Sequence, residues 1–251
     1  MCELFGVCAN KAVNINFTWK RFYKRGKNQK DGWGICFYEK KSAKVLKEPK
    51  STLKSELAKH FRDNNNNIIS NIFISHVRYA TQGKNLFENT HPFVKELNGR
   101  EWVFAHNGTL RDYKRKQLGS YLPEGSTDSE YAFCYLLEKI KKGQDTWKTI
   151  IEVSNELSEL GSFNYLLSDG EKLYAHAFGK DLYYLQRKPP YDDIIAKVMD
   201  EDFKLLLGDK KSRNEKAVLI ATNPLTNDEN WISFKKGKVY EFENGELYRT
   251  S

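Results

Sequence analysis

The sequence predicts a mixed α/β protein whose second half is rich in strands. A few segments have the apolar spacing of helices, and short runs of β-branched and aromatic residues between glycines fill much of the rest. The hydrophobic content of 39% and the aromatic content of 14% are ordinary for a globular chain. Neither an internal repeat nor a convincing linker divides the 251 residues. We therefore expect one domain spanning 1–251, with the charged segment 187–214 as an excursion within it.

The first half begins with a predicted strand at 2–8 and a short amphipathic helix at 16–25. Glycines on both sides of Trp33 lead into a buried strand that reaches Tyr38, and they suggest the close approach of another backbone. The other elements predicted in this half are a helix at 53–62, a strand at 68–77, a loop that ends at 89–93 and a strand at 102–105.

The second half opens with a helix whose start is marked by Thr127 and Glu130. These residues match a capping box, and one apolar face carries the helix to about Ile140. A second helix is predicted at 145–159. The pattern then changes to strands, which are expected at 162–167, 173–178, 182–186, 217–221, 239–242 and 246–249.

Charge and cysteine usage exclude several classes of function. The net charge of +8 makes nucleic acid a candidate partner, but the excess is mostly lysine spread along the chain, which argues against a dedicated nucleic-acid function. The four cysteines have no metal-finger spacing and suggest no disulfide framework, so we expect a reducing, cytoplasmic setting. No membrane-spanning run or signal peptide is recognisable, so no membrane association is expected. Neither a metal ion nor an organic cofactor is implied.

Cys2 directly follows the initiator methionine, and a small second residue usually allows that methionine to be removed. Cys2 would then carry a thiol together with a free α-amine, whose pKa is about 7.7–8.0. Part of this amine is an uncharged base at neutral pH, and a thiol needs a base because the thiolate is the nucleophile. One residue would thus supply nucleophile and base. The alternative is a buried or frayed cysteine without any chemistry.

Asn107 and Gly108 follow the strand at 102–105. A side-chain amide and a glycine N–H at one point are the two donors that an oxyanion hole uses. The alternative is a plain turn, because Asn-Gly is a common hairpin sequence. Asp128 also has a structural alternative, since the helix dipole favours a carboxylate in the first turn of a helix.

Six short motifs in this order resemble the class II glutamine amidotransferases, which are N-terminal-nucleophile hydrolases. They lie in the first half of the chain and read MCELFGV, DGWGI, SHVRYAT, NTHPF, AHNGTL and STDSE. The second half contributes ATNPL and Trp231, and it resembles the small stand-alone bacterial members. The resemblance implies an α+β fold, the four-layer α/β/β/α sandwich of this hydrolase type.

The resemblance also implies a role for each matching residue. Cys2 would attack the side-chain amide carbonyl of glutamine, with its own amine as base and then as acid for the departing ammonia. The Asn107 side chain and the Gly108 N–H would hold the oxyanion, and water would release glutamate from a γ-glutamyl thioester. Substrate binding would fall to Arg78 at the α-carboxylate, Thr81 beside it, Asp128 at the α-ammonium, Arg25 near the nucleophile and His91 in the pocket wall.

Two features leave the substrate open. Tyr79 and Gln82 differ from the residues that synthase-linked members carry beside the carboxylate site. No synthase domain is recognisable, so the chain is expected either to pass ammonia to a separate synthase or to hydrolyse a different γ-glutamyl compound. A non-enzymatic basic binding module is a third alternative, against which stands the intact set of Cys2, Arg78, Asn107 and Asp128.

Overall fold

The computed structural model describes residues 2–64, 67–191, 195–198, 204–206 and 214–251, with 195–198 and 204–206 as backbone only. Met1 lies outside the described residues, so its predicted removal stays a prediction. Much of the charged segment predicted at 187–214 lies outside them as well.

Two antiparallel sheets form the centre of the protein, and their strands are numbered in chain order. From edge to edge, the first sheet contains β14 (Ile232–Ser233), β9 (Tyr183–Arg187), β12 (Ala217–Ala221), β1 (Glu3–Val13), β4 (Ser70–Arg78), β2 (Gly32–Glu39) and β3 (Ser42–Glu48). The second contains β16 (Glu246–Thr250), β15 (Val239–Glu243), β8 (Lys172–His176), β7 (Gly161–Ser168), β6 (Arg100–Leu110) and β5 (Phe93–Leu97). A small third sheet has the order β11 (Lys204–Leu206), β10 (Ile195–Val198) and β13 (Thr226–Asn227).

Strand β1 is buried on both faces along its first seven residues, and after Glu3 these residues carry no charged or polar amide side chain. Successive side chains of a strand point to opposite faces. Leu4 and Cys8 therefore enter the layer between the two large sheets, whereas Phe5 and Val7 face the helices outside the first sheet. Burying one such side chain contributes about 1.5–3 kcal/mol relative to leaving it exposed.

Four helices cover the outer faces of the sheets. The first pair, α1 (Asn16–Tyr23) and α2 (Glu56–Asn64), packs Trp19 and Phe61 on the first sheet. The second pair, α3 (Asp128–Lys142) and α4 (Thr146–Ser158), packs Phe133 and Ile150 on the second sheet. The layers are thus helix, sheet, sheet and helix, and the predicted four-layer α/β/β/α sandwich is confirmed.

The structure differs from the predicted strands in two edge strands that were missed, β3 and β5, and in the end of β6. Strand β3 was missed because its two lysines and one glutamate weaken the strand pattern, and it lies at the edge of the first sheet. Strand β5, at the edge of the second sheet, was missed because it directly follows Pro92 in a predicted loop. Strand β6 does not end before Asn107, because β7 pairs with it as far as Leu110. The turn alternative for Asn107 and Gly108 is therefore wrong.

The start of α3 shows one half of the predicted capping box. The Thr127 side chain accepts a hydrogen bond from the Glu130 N–H at 3.2 Å. The Glu130 carboxylate accepts instead from the N–H groups of Glu124 and Gly125, at 2.9 and 2.7 Å. Glu130 therefore orders the loop before the helix rather than returning to Thr127.

The close approach predicted beside Trp33 is confirmed at Gly34. A Cβ atom at this position would collide with the carbonyl oxygen of His91 and lie 2.9 Å from Pro92 Cδ.

All four cysteines are free thiols. None of the helices in the described ranges has the length and apolar character needed to cross a membrane. The cytoplasmic setting stays a prediction.

Candidate active site

Strand pairing brings Cys2 to the end of β4. Glu3, the first residue of β1, lies opposite Val77. Cys2 directly precedes Glu3 and therefore lies next to the end of β4, at Arg78 and Tyr79. The Sγ atom of Cys2 accepts a hydrogen bond from the Tyr79 N–H at 3.2 Å and lies 3.2 Å from the Tyr79 carbonyl oxygen. Burial raises the pKa of the Cys2 thiol, whereas the Tyr79 hydrogen bond and the charges of Lys180 and Arg78 lower it. The half-buried sulfur is therefore held by backbone and faces positive charge.

Asn107 lies on the second sheet with its side chain fully buried. Its Oδ1 atom accepts a hydrogen bond from Lys180 Nζ at 3.1 Å. Its Nδ2 atom is buried and has no hydrogen-bond partner among the described residues. A buried donor without a partner is costly and calls for an explanation. The Asn107 amide is thus held at its oxygen by Lys180, and its nitrogen has no partner in the part of the chain that the structure describes.

Gly108 follows Asn107 in a space that excludes any side chain. A Cβ atom there would collide with the carbonyl oxygen of Ser162 on the neighbouring strand and with the His106 ring. Glycine is therefore required by the close packing of β6 against β7. The predicted oxyanion pair thus lies in continuous strand, with its geometry set by sheet pairing.

Arg78 is buried, and its guanidinium holds the loop that follows β4. Its Nη2 atom donates to the Gln82 carbonyl oxygen at 2.8 Å, and its Nη1 atom donates to Asn85 Oδ1 at 3.1 Å. Longer contacts of 3.3–3.4 Å reach three further backbone carbonyls. All these acceptors are neutral, and no carboxylate within the described ranges forms an ion pair with Arg78. Burial accordingly lowers the pKa of Arg78.

Asp128, the first residue of α3, is a buried carboxylate held by neutral donors. It accepts from the N–H of Leu110 at 2.7 Å and from the N–H of Ser129 at 3.0 Å. No lysine or arginine in the described part of the chain forms an ion pair with it. The carboxylate thus lies between the end of β6 and the start of α3, and its charge raises the pKa of Arg78.

Thr81 joins the loop after β4 to strand β6, which carries Asn107 and Gly108. Its Oγ1 atom lies 3.2 Å from Thr109 Oγ1, and Thr109 donates its own hydroxyl to the Gly108 carbonyl oxygen at 2.8 Å. Because Thr109 has already donated its hydrogen, Thr81 is the donor between the two hydroxyls. The exposed Thr81 is therefore placed beside the predicted oxyanion donors.

Arg25 and His91 have contacts that are less direct. Arg25 forms an ion pair with Glu3 at 3.4 Å, and Glu3 directly follows Cys2 in the sequence. His91 is buried, and its ring lies 4.2 Å from the His76 ring and 4.5 Å from the Phe93 ring. Burial holds the pKa of His91 well below its usual value, so its imidazole is neutral. Its contacts lie in the core, and its predicted place in the pocket wall stays a prediction.

Lys180 was missed by the sequence reasoning. It follows β8 in the second half of the chain, far in sequence from every motif, yet it contacts Asn107 and lowers the pKa of Cys2 through its charge. No spacing rule identifies it among 41 lysines and arginines. Within the described ranges, no group of three or more His, Cys, Asp or Glu side chains could hold a metal ion.

Comparison with known proteins agrees with this geometry. The family model for class II glutamine amidotransferases matches residues 1–251. The uncharacterized protein MJ1515 of Methanocaldococcus jannaschii is 44% identical over 255 residues, which cover 98% of this chain and 70% of that protein. YafJ of Escherichia coli K12, provisionally named a glutamine amidotransferase, is 37% identical over 257 residues, covering 98% of this chain and 99% of YafJ.

A solved structure is similar along the whole chain. The crystal structure of a predicted glutamine amidotransferase from Pseudomonas aeruginosa has a TM-score of 0.74 and 28% sequence identity, covering 99% of this chain and 100% of that one. The family model spans the residues that form both sheets and the site between them. The chain therefore belongs to the class II glutamine amidotransferases.

Proposed function

We propose that this enzyme hydrolyses the side-chain amide of glutamine to glutamate and ammonia through a γ-glutamyl thioester on Cys2. The observation that carries the proposal is the buried, unpartnered Nδ2 atom of Asn107 in the site that holds the Cys2 sulfur. A buried amide donor that nothing else satisfies is well placed to bind an oxygen that becomes negative during the reaction.

In the proposed reaction, removal of Met1 frees the α-amine of Cys2. The amine takes the thiol proton, and the thiolate attacks the γ-carbonyl carbon. The Asn107 Nδ2–H and the Gly108 N–H bind the resulting oxyanion. The protonated amine then returns the proton to the leaving nitrogen, and ammonia departs as the thioester forms. Water attacks the thioester, the C–S bond breaks, and glutamate and the Cys2 thiol are released.

Two buried charges support an amino acid as the substrate. The Arg78 guanidinium and the Asp128 carboxylate are both buried, and each is bonded only to neutral groups within the described ranges. A buried charge without a counter-charge is costly. A zwitterion supplies both missing partners at once, with its α-carboxylate at Arg78 and its α-ammonium at Asp128. We assign Thr81 to the side of the carboxylate, Arg25 to support of the nucleophile and His91 to the pocket wall.

The acceptor of the ammonia is a separate matter. We propose that ammonia passes to a separate synthase or is released. Hydrolysis of another γ-glutamyl amide by the same Cys2 chemistry is the second candidate. Tyr79, which directly follows Arg78 and whose backbone bonds to the Cys2 sulfur, is 49% exposed, so the chain is open to solvent beside the proposed nucleophile.

The first test is an intact mass spectrum before and after exposure to 6-diazo-5-oxo-norleucine, a reactive glutamine analogue. We expect a starting mass that lacks one methionine and a single stoichiometric adduct. Cys2→Ala should give no adduct. The matched control, Cys134→Ala, removes a buried thiol elsewhere and should be labelled like the wild type.

Glutamate release from glutamine and from γ-glutamyl conjugates then separates the two candidates. Faster turnover of glutamine supports the proposal, and faster turnover of a conjugate favours the second candidate. A protein with Met1 removed that forms no adduct and cleaves neither type of substrate would overturn the enzymatic proposal.

A further inference from the structure

Lys180 is held in place by a residue that lies directly opposite Asn107 on the neighbouring strand. That residue is Asn164, which pairs with Asn107 between β6 and β7. The Asn164 Nδ2 donates to the Lys180 carbonyl oxygen at 2.9 Å, and its Oδ1 accepts from the Phe178 N–H at 2.8 Å. One buried side chain thus bonds to the backbone on both sides of Gly179. Position 180 is fixed relative to the same strand pair that carries the oxyanion donors.

Gly179 makes this close approach feasible. Its φ of +95° lies in the region that favours glycine. A Cβ atom there would lie 2.8 Å from the Cβ of Ser162, on the strand next to Gly108. The loop therefore packs directly on β7 and brings the ammonium of Lys180 to Asn107.

The amide of Asn107 has two orientations that differ by exchanging its oxygen and its nitrogen. Only the orientation with the nitrogen toward the substrate supplies an oxyanion donor. A protonated lysine has three donors and no acceptor, so it bonds to Oδ1 and cannot bond to Nδ2–H. The ammonium of Lys180 therefore selects the orientation that leaves Nδ2 free for the ligand.

We propose that Lys180 is a positioning residue for the reaction, which locks the Asn107 amide in the orientation that supports the oxyanion. This inference rests on the proposed function, and it adds a residue to which neither the motifs nor the family match assigns a role. The lysine acts through Asn107 and does not contact the substrate.

Its charge has a second effect in the same direction. Lys180 lowers the pKa of Cys2. Burial lowers the pKa of Lys180 itself, and the charge of Cys2 opposes that effect. A thiolate at Cys2 therefore favours the protonated lysine, which is the form that fixes the amide. In the proposed reaction, the Asn107 amide would lie between the oxyanion and the ammonium of Lys180.

The test compares Lys180→Met with Lys236→Met. Lys180 and Lys236 both line one wall of a cavity of about 290 Å³. The ammonium of Lys236 lies 4.8 Å from the centre of the Phe178 ring. Both variants remove one lysine charge from this wall, and only the first removes the contact with Asn107. We expect Lys180→Met to lower kcat for glutamine about 10- to 100-fold with KM changed less than about twofold, since losing an oxyanion donor outright costs about 100- to 1000-fold. Lys236→Met should keep the wild-type kcat.

Three further readouts separate positioning from a purely structural role. Lys180→Arg keeps a cation that can only donate, and it should recover most of the lost kcat. In an Asn107→Ala background, Lys180→Met should cause little additional loss when kcat is compared at the pH optimum of each variant, because its effect apart from the pKa of Cys2 passes through Asn107. The pH profile of Cys2 alkylation should move to higher pH in Lys180→Met and stay in place in Lys236→Met.

The outcomes distinguish this inference from the proposed function. An active wild type with Lys180→Met at full kcat would overturn the inference and leave the function intact. A raised KM with unchanged kcat would mean that Lys180 binds substrate, which also overturns it. A wild type without Cys2-dependent labelling overturns the function itself. If Lys180→Met does not fold by circular dichroism, Lys180→Gln replaces it, because a neutral amide can bond to either end of Asn107 and the same loss of kcat is expected.

Discussion

Leu4 and Thr222 are joined by two reciprocal hydrogen bonds. The Leu4 N–H donates to Thr222 Oγ1 at 2.9 Å, and the Thr222 N–H donates to the Leu4 carbonyl oxygen at 3.1 Å. Leu4 lies two residues after Cys2, the proposed nucleophile, and Thr222 directly follows β12. The start of β1 is thus fixed on this side by Thr222 and on the other by the bond between Cys2 and Tyr79.

Thr222→Val keeps the shape of the side chain and removes the acceptor for the Leu4 N–H. An unsatisfied buried N–H costs about 1–3 kcal/mol, so we expect a loss of that size in the free energy of unfolding. We also expect a lower kcat, because the nucleophile is less well fixed. Urea unfolding and glutamate release measure the two effects. Thr226→Val is the control, since it breaks a bond to Trp231 and should change stability without changing kcat.

Arg78→Lys keeps the positive charge and loses the planar fork. A lysine cannot hold a carboxylate with two parallel bonds. Loss of one charge-assisted hydrogen bond of about 1.5–3 kcal/mol corresponds to an increase of roughly 10- to 100-fold in KM for glutamine. Steady-state kinetics at saturating and limiting glutamine gives both constants.

The control for Arg78→Lys is Arg187→Lys. Arg187 forms a buried ion pair with Glu229, at 2.6 and 2.8 Å, away from the predicted site. Its replacement should lower stability and leave KM unchanged. An Arg78→Lys enzyme with the wild-type KM would contradict the assignment of the α-carboxylate to Arg78.

The stability of the protein should fall in mild acid, and His176 should account for part of the fall. Burial also lowers the pKa values of His76, His91 and His106, so these histidines contribute to the same decline. Burial lowers the pKa of His176 to about 4, although its hydrogen bond to the Lys238 carbonyl oxygen raises it. Since the unfolded value is about 6.5, the unfolded chain binds more protons between about pH 4 and pH 6.5. The stabilisation from neutral His176 is complete above that window and is lost as the pH falls through it.

His176→Gln should therefore reduce the acid-dependent decline in the free energy of unfolding by up to about 3 kcal/mol over this window. Urea unfolding at a series of pH values measures the decline. His60 is exposed on α2, and His60→Gln should leave the decline as in the wild type. Equal slopes for His176→Gln and the wild type would show that another group is responsible.

The four thiols should differ sharply in their reactivity. Burial raises the pKa of Cys8 to about 11 and that of Cys134 to about 12, and it raises the pKa of Cys36 as well. Burial raises the pKa of Cys2 as well, but the Tyr79 hydrogen bond and the charges of Lys180 and Arg78 lower it. Cys2 is also the one cysteine that is only partly buried. Because the thiolate is the reactive form, brief treatment of the native protein with iodoacetamide should give one adduct, at Cys2. Peptide mass spectrometry locates it, and the unfolded protein should give four. Equally rapid modification of Cys134 would contradict this ranking.

The candidate site residues lie in short motifs that follow one another in order along the chain. Local sequence singled out Cys2, Asn107 and Gly108, and the family resemblance added roles for Arg78 and Asp128. Strand pairing brings Cys2 beside the end of β4, and the roles stay predictions. The role of Asn107 and Gly108 as a pair was open from local sequence alone, because the same dipeptide favours a hairpin turn. Pairing with β7, a tertiary effect, decided that they lie within a strand.

Lys180 could not be predicted for a different reason. Its contact with Asn107 joins residues 73 positions apart, and its backbone is fixed by Asn164, whose amide bonds are invisible in a sequence. The edge strand β3 escaped prediction because it pairs on one side only and none of its residues is fully buried, so the alternation of a half-buried strand is weak.

The proposed nucleophile and the proposed oxyanion donors belong to different sheets. Cys2 directly precedes β1 of the first sheet, whereas Asn107 and Gly108 lie on β6 of the second. The apolar layer between the two sheets contains Leu4, Ala105 and Leu166. In the proposed reaction, the spacing of the two sheets would set the distance from the sulfur to the oxyanion donors. A methylene gained or lost in that layer would then change the rate of the reaction as well as the stability of the fold.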